Sequence, residues 1–142
     1  MAISQIKVMV EISLIQLNGI IITAVEGGSN YWYEFNQAFE VIKEYKGKYF
    51  PEIHGKPSHF HGCTSEAILV AVLHGEVFPI DDIEKQTTVG ELSIDRIQKG
   101  MELLQKNDPK RFSILLNTEM DYDAEDADVI FQYICLGEVV YG

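Results

Sequence analysis

Apolar and polar side chains alternate over residues 6–12. Ile6, Val8, Val10 and Ile12 fall on one side, Lys7, Met9 and Glu11 on the other. A period of two predicts a half-buried strand. Ser13 can then cap a helix, and Leu14, Leu17, Ile21 and Val25 recur at helical spacing up to a left-handed stop at Gly27 and Gly28. The β-branched residues Ile15, Ile20, Ile21, Ile22, Thr23 and Val25 favour strand. The glycine pair and the preceding strand decide for a β-α unit.

Further along, residues 36–45 read as a short helix ended at Gly47. Residues 48–62 read as irregular, with Pro51, Gly55, Pro57 and Gly62. Thr64 or Ser65 caps a helix through Leu73 that stops at Gly75. Residues 76–80 and 87–92 read as two strands around a polar turn at Asp81 and Asp82. Ser93 opens an amphipathic helix with Ile94, Ile97, Met101 and Leu104 inward. Asp108 and Pro109 end it and start the next, since proline suits a first helical position. Asp123 caps a last helix, with Glu125 and Asp126 in its first turn where the dipole favours acids. That helix stops at Gly137. The elements predict an α+β fold, a single domain over residues 1–142, in which three or more helices pack on a small, mainly antiparallel sheet. A short echo links Gly75-Glu76-Val77 to Gly137-Glu138-Val139, each after an apolar helix end. Shared helix-stop chemistry accounts for it, and no repeat is indicated.

Length and composition agree with one domain. The 142 residues are 46% hydrophobic and 23% charged, the balance of a soluble globular chain. The longest apolar run, residues 19–25, is far short of the ~20 residues that span a bilayer. No positively charged leader precedes the first strand, so no signal peptide is expected. Cys63 and Cys135 make no CxxC pair, and two free thiols fit a reducing cytosol.

Charge narrows the function. Twenty-two acids against eleven bases give −11, the wrong sign for a protein that binds nucleic acid by displacing counterions. Residues 112–142 hold seven acids and no Lys or Arg, while Lys43, Lys46, Lys48 and Lys56 cluster elsewhere. Such a face either keeps the chain soluble or meets a basic partner.

Four groups of residues could carry chemistry. Gly27, Gly28, Ser29, Asn30, Tyr31, Trp32 and Tyr33 follow Glu26 in one run. The glycines let backbone approach a ligand, the aromatics offer stacking faces, and Asn30 can read an amide or a base edge. The plainer reading is a helix stop followed by core aromatics. If the run is extended, Tyr31 and Tyr33 share a side and Trp32 takes the other, so at least one ring should line a surface. His54, His59, His61 and Cys63 suit zinc by type, but no fourth ligand follows at matching spacing, so no stoichiometric zinc is expected. Asp121, Asp123 and Glu125 open like a calcium loop. Asp126 stands where glycine is required and Gln132 where glutamate is, so helix capping explains them better. No G-x-S-x-G elbow is present, and Cys63 near His61 lacks an oxyanion hole. The chain is therefore read as a non-enzyme, with no cofactor.

The run Ile22-Thr23-Ala24-Val25-Glu26-Gly27-Gly28-Ser29-Asn30-Tyr31-Trp32 resembles a motif of small proteins encoded in many bacteriophage genomes. So do residues 123–132 and the close Gly137-Glu138-Val139-Val140-Tyr141-Gly142. The resemblance spans most of the chain, with a variable middle over residues 34–57. It implies a phage accessory protein in the host bacterial cytoplasm and brings no catalytic residues with it.

By analogy with accessory proteins that counter host defence, the first expectation is a sponge. It would sequester a nucleotide-derived second messenger through residues 27–33, with Lys110, Arg111, Arg96 or the lysines after Lys43, together with helix N-termini, supplying the positive charge that its phosphates need. The alternative is an acidic protein-binding inhibitor or DNA mimic that blocks a host defence protein. A hydrolase using the histidine or acidic cluster is third. The partner is then a small nucleotide-like ligand or a host protein, with no direct nucleic acid and no membrane. A homo-oligomer is expected, because small domains often share a pocket across a dimer.

Overall fold

The computed structural model describes residues 4–36, Glu44 and 64–142. The helix expected over 36–45, the irregular stretch over 48–62 and the cluster His54, His59, His61 and Cys63 lie outside the described residues, apart from Asn36 and Glu44.

Helix α1 runs Leu14–Thr23. Ser13 caps it as anticipated: its Oγ accepts the Gln16 backbone N–H at 3.2 Å. The helix then widens into one π-helical turn, Ala24–Gly28, that ends at the glycine pair without the expected left-handed stop, since neither Gly27 nor Gly28 takes a positive φ. A turn of this kind leaves carbonyls for outside donors, and the Tyr33 hydroxyl donates to Val25 O at 2.8 Å. Strand β1, Tyr33–Phe35, follows. A 3-10 turn at Thr64–Ala67 leads into α2, Ile68–Leu73, whose end is marked by Gly75 at φ +99°. Strands β2, Phe78–Asp82, and β3, Thr88–Leu92, form a hairpin. Helices α3, Ile94–Asn107, α4, Pro109–Ile114, and α5, Ala124–Leu136, complete the described chain.

The sheet has the order β1-β2-β3, antiparallel throughout. Tyr33 pairs with Asp82, Phe35 with Ile80, and Phe78 with Leu92. Helices α5 and α3 pack against β3, and α1 packs on α5. The core joins Leu17, Ile20 and Ile21 of α1 to Phe78, Ile80 and Leu92 of the sheet and to Ile130, Phe131 and Ile134 of α5. The chain is thus a single small α+β domain, as its patterning predicts.

Close packing depends on two glycines. A Cβ on Gly100 of α3 would stand 2.7 Å from Ile134 Cα and Tyr133 O of α5. A Cβ on Gly90 of β3 would strike Cys135 O. These absences of side chain bring α5 against both neighbours.

The structure corrects the local reading in several places. Residues 6–12 are not a strand: residues 4–13 form neither helix nor strand. Of the four side chains on the apolar side, only Ile12 packs on the core, while Ile6, Val8 and Val10 are exposed. A period-two pattern specifies a strand only when a neighbour supplies a ladder, and none among the described residues does. Ile94, the first residue of α3, also faces out, at 52% exposure; Ile97, Met101 and Leu104 are inward as expected. The hairpin turn lies beyond Asp82, not at Asp81 and Asp82. The Asp82 carboxylate Oδ1 accepts the backbone N–H groups of Glu84 and Lys85, both at 2.9 Å, and so ends the strand.

Candidate functional site

The two sequence motifs singled out above meet on α5. Asp128 is buried one turn into that helix and receives four hydrogen bonds. Its Oδ1 accepts from Ser29 Oγ at 2.7 Å and from the Trp32 indole N–H at 2.8 Å. Its Oδ2 accepts from the Tyr31 hydroxyl at 2.7 Å and from Gln132 Nε2 at 3.1 Å. Gln132 stands one helical turn on and is equally committed. Its Oε1 takes the backbone N–H groups of Val140 and Tyr141, at 2.8 and 2.9 Å, and its Nε2 also reaches Tyr141 O at 3.1 Å.

Tyr141 closes the arrangement. Its ring stacks on Trp32 with centroids 4.8 Å apart and planes 9° from parallel. Its hydroxyl donates to Asp82 Oδ2 at 2.6 Å. That bond, with the backbone N–H groups of the hairpin turn, holds the Asp82 carboxyl below its ordinary range, and in return Asp82 pushes Tyr141 up to about 12. Tyr31 is likewise raised to about 12, by partial burial first and by its hydrogen bond to Asp128 second. Burial raises Tyr33 and, on α5, the Cys135 thiol, which leaves Cys135 inert as a nucleophile.

The predicted ligand-binding residues therefore separate. Ser29, Trp32 and Tyr33 are buried; Trp32, at 2% exposure, lies against Phe131 and Tyr33 as well as Tyr141. Gly28 seats its backbone against α5, where a Cβ would lie 2.7 Å from Ala124 O. Gly27 and Asn30 are exposed, and nothing lies within 4 Å of where a Gly27 Cβ would stand. Tyr31 is the member that keeps a free face, at 50% exposure, so one ring of the three does line a surface. Its alternation is not that of a strand, because residues 30–32 form a turn and only Tyr33 enters β1; Trp32 and Tyr33 are both inward.

Lys110 and Arg111 are elsewhere. They line a depression of about 460 Å³ with Asp108, Asp121 and Asp126, which shares no residue with the depression beside Tyr31. Lys110 is exposed. Arg111 is held by Asp108 and Asp126, each at 3.0 Å, with Glu125 at 3.6 Å, and its positive charge is largely matched in place. The cluster of acids on α5 resolves the same way. Asp123 and Asp126 form a reciprocal capping box at the helix start, as capping chemistry predicts.

The sequence reading missed Asp82, Asp128, Gln132 and Tyr141. One signal for two of them exists: Asp128 and Gln132 are polar at i and i+4 within the otherwise apolar stripe Ala127, Ile130, Phe131, Ile134 and Cys135. A polar pair on a buried face must find partners.

Beside this network lies a depression of about 140 Å³ lined by Tyr31, Trp32, Asp82, Ile83, Glu84, Tyr141 and Gly142. Among the described residues, no Lys or Arg lines it. Asp82 is buried and its carboxylate is taken by Glu84, Lys85 and Tyr141, while Glu84 is exposed; a ring face beside an exposed acid suits a cation, by attraction to the π-system and to the carboxylate together. Among the described residues no group of three or more His, Cys, Asp and Glu is placed to hold a metal ion, and no helix is long and apolar enough to cross a membrane. Compared with known proteins, the chain matches no family model, no curated protein and no solved structure.

Proposed function

We propose that this protein is a non-catalytic binding protein that engages a basic protein partner, taking a Lys or Arg side chain of that partner beside Tyr31. The observation that carries this reading is the half-exposed Tyr31 ring at the edge of a depression whose charged lining, among the described residues, is Asp82 and Glu84. The acidic balance of the whole chain, −11, supports it by steering a basic partner toward the surface. The resemblance to phage accessory proteins makes the partner a host defence protein met in the bacterial cytoplasm, and the role that of an inhibitor.

Capture of a nucleotide messenger fits this geometry less well. Ligand pockets run to about 300–1,000 Å³, and the depression at Tyr31 is about 140 Å³. Phosphates there would face Asp82 and Glu84. The larger depression holds Lys110, but its arginine is already paired with acids.

The test is a calorimetric titration of the purified protein with an arginine-rich peptide and, separately, with a pool of linear and cyclic nucleotides. The proposal expects peptide binding that weakens with salt and weakens about tenfold in Tyr31→Ala and in Glu84→Gln. An intact nucleotide released by heating the purified protein, with no peptide binding, would overturn it in favour of sequestration.

A further inference from the structure

Residues 6–12 carry the pattern of a strand and, among the described residues, pair with no strand. Among the described residues, residues 4–12 make no backbone hydrogen bond; the nearest tie is Ser13 N–H to Leu115 O at 2.8 Å. Ile6 is 88% exposed, Val8 76% and Met9 100%, and Val10 is exposed too. Four large apolar side chains within five residues are placed where water meets them, on a stretch with neither Pro nor Gly. A bare strand of this kind is a template for pairing with another chain.

The order of residues says which chain fits. If two copies of this segment run antiparallel about a two-fold axis at Met9, Ile6 faces Ile12, Val8 faces Val10, Met9 faces Met9, and Lys7 faces Glu11. The two-fold symmetry makes each pairing occur twice. Both ion pairs are thus satisfied in one register, and opposite charges directly across a ladder stabilise it. A shift by one residue puts the apolar row of one copy on the polar row of the other. A two-fold axis at Lys7 or at Glu11 sets like charges face to face. A two-stranded ribbon is marginal in water unless something backs it. Here a groove of about 470 Å³ runs between Met9, Val10 and Ile12 of the segment and α3, whose Ile94, Ile97 and Met101 line it together with polar Gln98, Glu102 and Gln105. It also gives the exposed Ile94 a partner.

We propose that residues 6–12 form an antiparallel two-stranded ribbon with the same residues of a second copy of this chain, centred on Met9 and registered by the reciprocal Lys7–Glu11 pairs. The contact is self-complementary, as a two-fold dimer requires. It lies apart from the depression at Tyr31, so it stands independently of the proposed function.

Sedimentation of the full chain over a range of concentrations tests it. The wild-type chain is expected to dimerise. Lys7→Glu makes both cross-strand pairs acid against acid, and Glu11→Lys makes both base against base. Each variant alone is expected to dimerise at least tenfold more weakly. Mixed together, the two variants restore both ion pairs, and an equimolar mixture is expected to sediment as a heterodimer. The double variant Lys7→Glu/Glu11→Lys is expected to recover the wild-type dimer. Because these side chains are exposed, thermal unfolding of all four proteins serves as a control for folding. A wild-type chain that stays monomeric overturns the proposal. So do single variants that dimerise as the wild type does, or a mixture that shows no rescue.

Discussion

Asp128 accepts the indole N–H of Trp32 at 2.8 Å, joining residues 96 positions apart in the chain. Both are buried, and no cation is among the four donors that Asp128 receives. A carboxylate away from water is tolerable when donors replace its hydration. Here they come from the turn before β1 and from α5 itself, so one side chain fixes how the first third of the chain meets the last.

Removing that carboxylate should be costly. Asp128→Ala leaves Ser29, Trp32 and Gln132 with donors in a dry site, and each unsatisfied group costs about 1–3 kcal/mol. The expected loss is about 3 kcal/mol or more in a urea unfolding curve. Asp128→Asn keeps one acceptor but turns an N–H₂ toward donors, and should recover only part of the loss. An unchanged midpoint for Asp128→Ala would contradict the network described here.

The three adjacent aromatics should divide by role. Trp32→Ala removes a fully packed ring and is expected to cost about 3–5 kcal/mol of stability. Tyr31→Ala removes a half-exposed ring and one hydrogen bond, with an expected cost of about 1 kcal/mol, and its main effect falls on partner binding. Melting curves for the pair decide this, and a Tyr31 variant as unstable as the Trp32 variant would place both rings in the core.

Gly100→Ala tests the contact of α3 with α5. Helix propensity alone favours alanine by about 1 kcal/mol. Yet a Cβ at this position would meet Ile134 Cα at 2.7 Å, a backbone atom that cannot swing aside. Overpacking of this kind costs about 1–3 kcal/mol, and the variant should melt below the wild type. A rise in melting temperature would mean that the helices separate freely.

Stability should fall at both ends of the pH scale. Tyr31 and Tyr141 rise from the ordinary 10.0 to about 12 on folding. Raised acids contribute stability that is complete below pH 10 and is lost as pH climbs through about 12. Asp82 and Asp123 are lowered, by the Tyr141 hydroxyl in the first case and by the Asp126 backbone N–H in the second. Their contribution is present above the ordinary 3.8 and is lost as pH falls through the lowered values. Tyr141→Phe should therefore reduce both effects at once: less loss of stability in alkali, and acid unfolding that depends less on Asp82, whose carboxylate keeps only the Glu84 and Lys85 backbone N–H groups. Circular dichroism of urea transitions across pH measures this.

The elements that were legible in the sequence are those whose signals are local. Ser13, Ser93, Asp108 and Asp123 each cap the helix their position foretells, and Gly75 and Gly137 stop helices with positive φ. The site was only half legible. Tyr31, Trp32 and Ser29 stand out as types, but their shared partner Asp128 sits among acids that cap a helix and has the same composition signal. Only the long-range fold separates the acid that caps, Asp123, from the one that is buried, Asp128. The alternation over residues 6–12 misled for the converse reason. It sorts the side chains of an extended segment onto two faces and says nothing of whether a neighbouring strand is there to pair with it.

Trp32 is the protein's single tryptophan, and its ring is clasped between Tyr141 and Phe131. The molecule therefore carries its own optical reporter, placed where the closing residues dock. Release of Tyr141 would strip one face of the indole while the helices stay intact, so emission should shift to the red before ellipticity falls. Fluorescence and far-ultraviolet signals that depart from each other in mild denaturant would make the docking of residues 138–141 visible as a separate step, with no label attached.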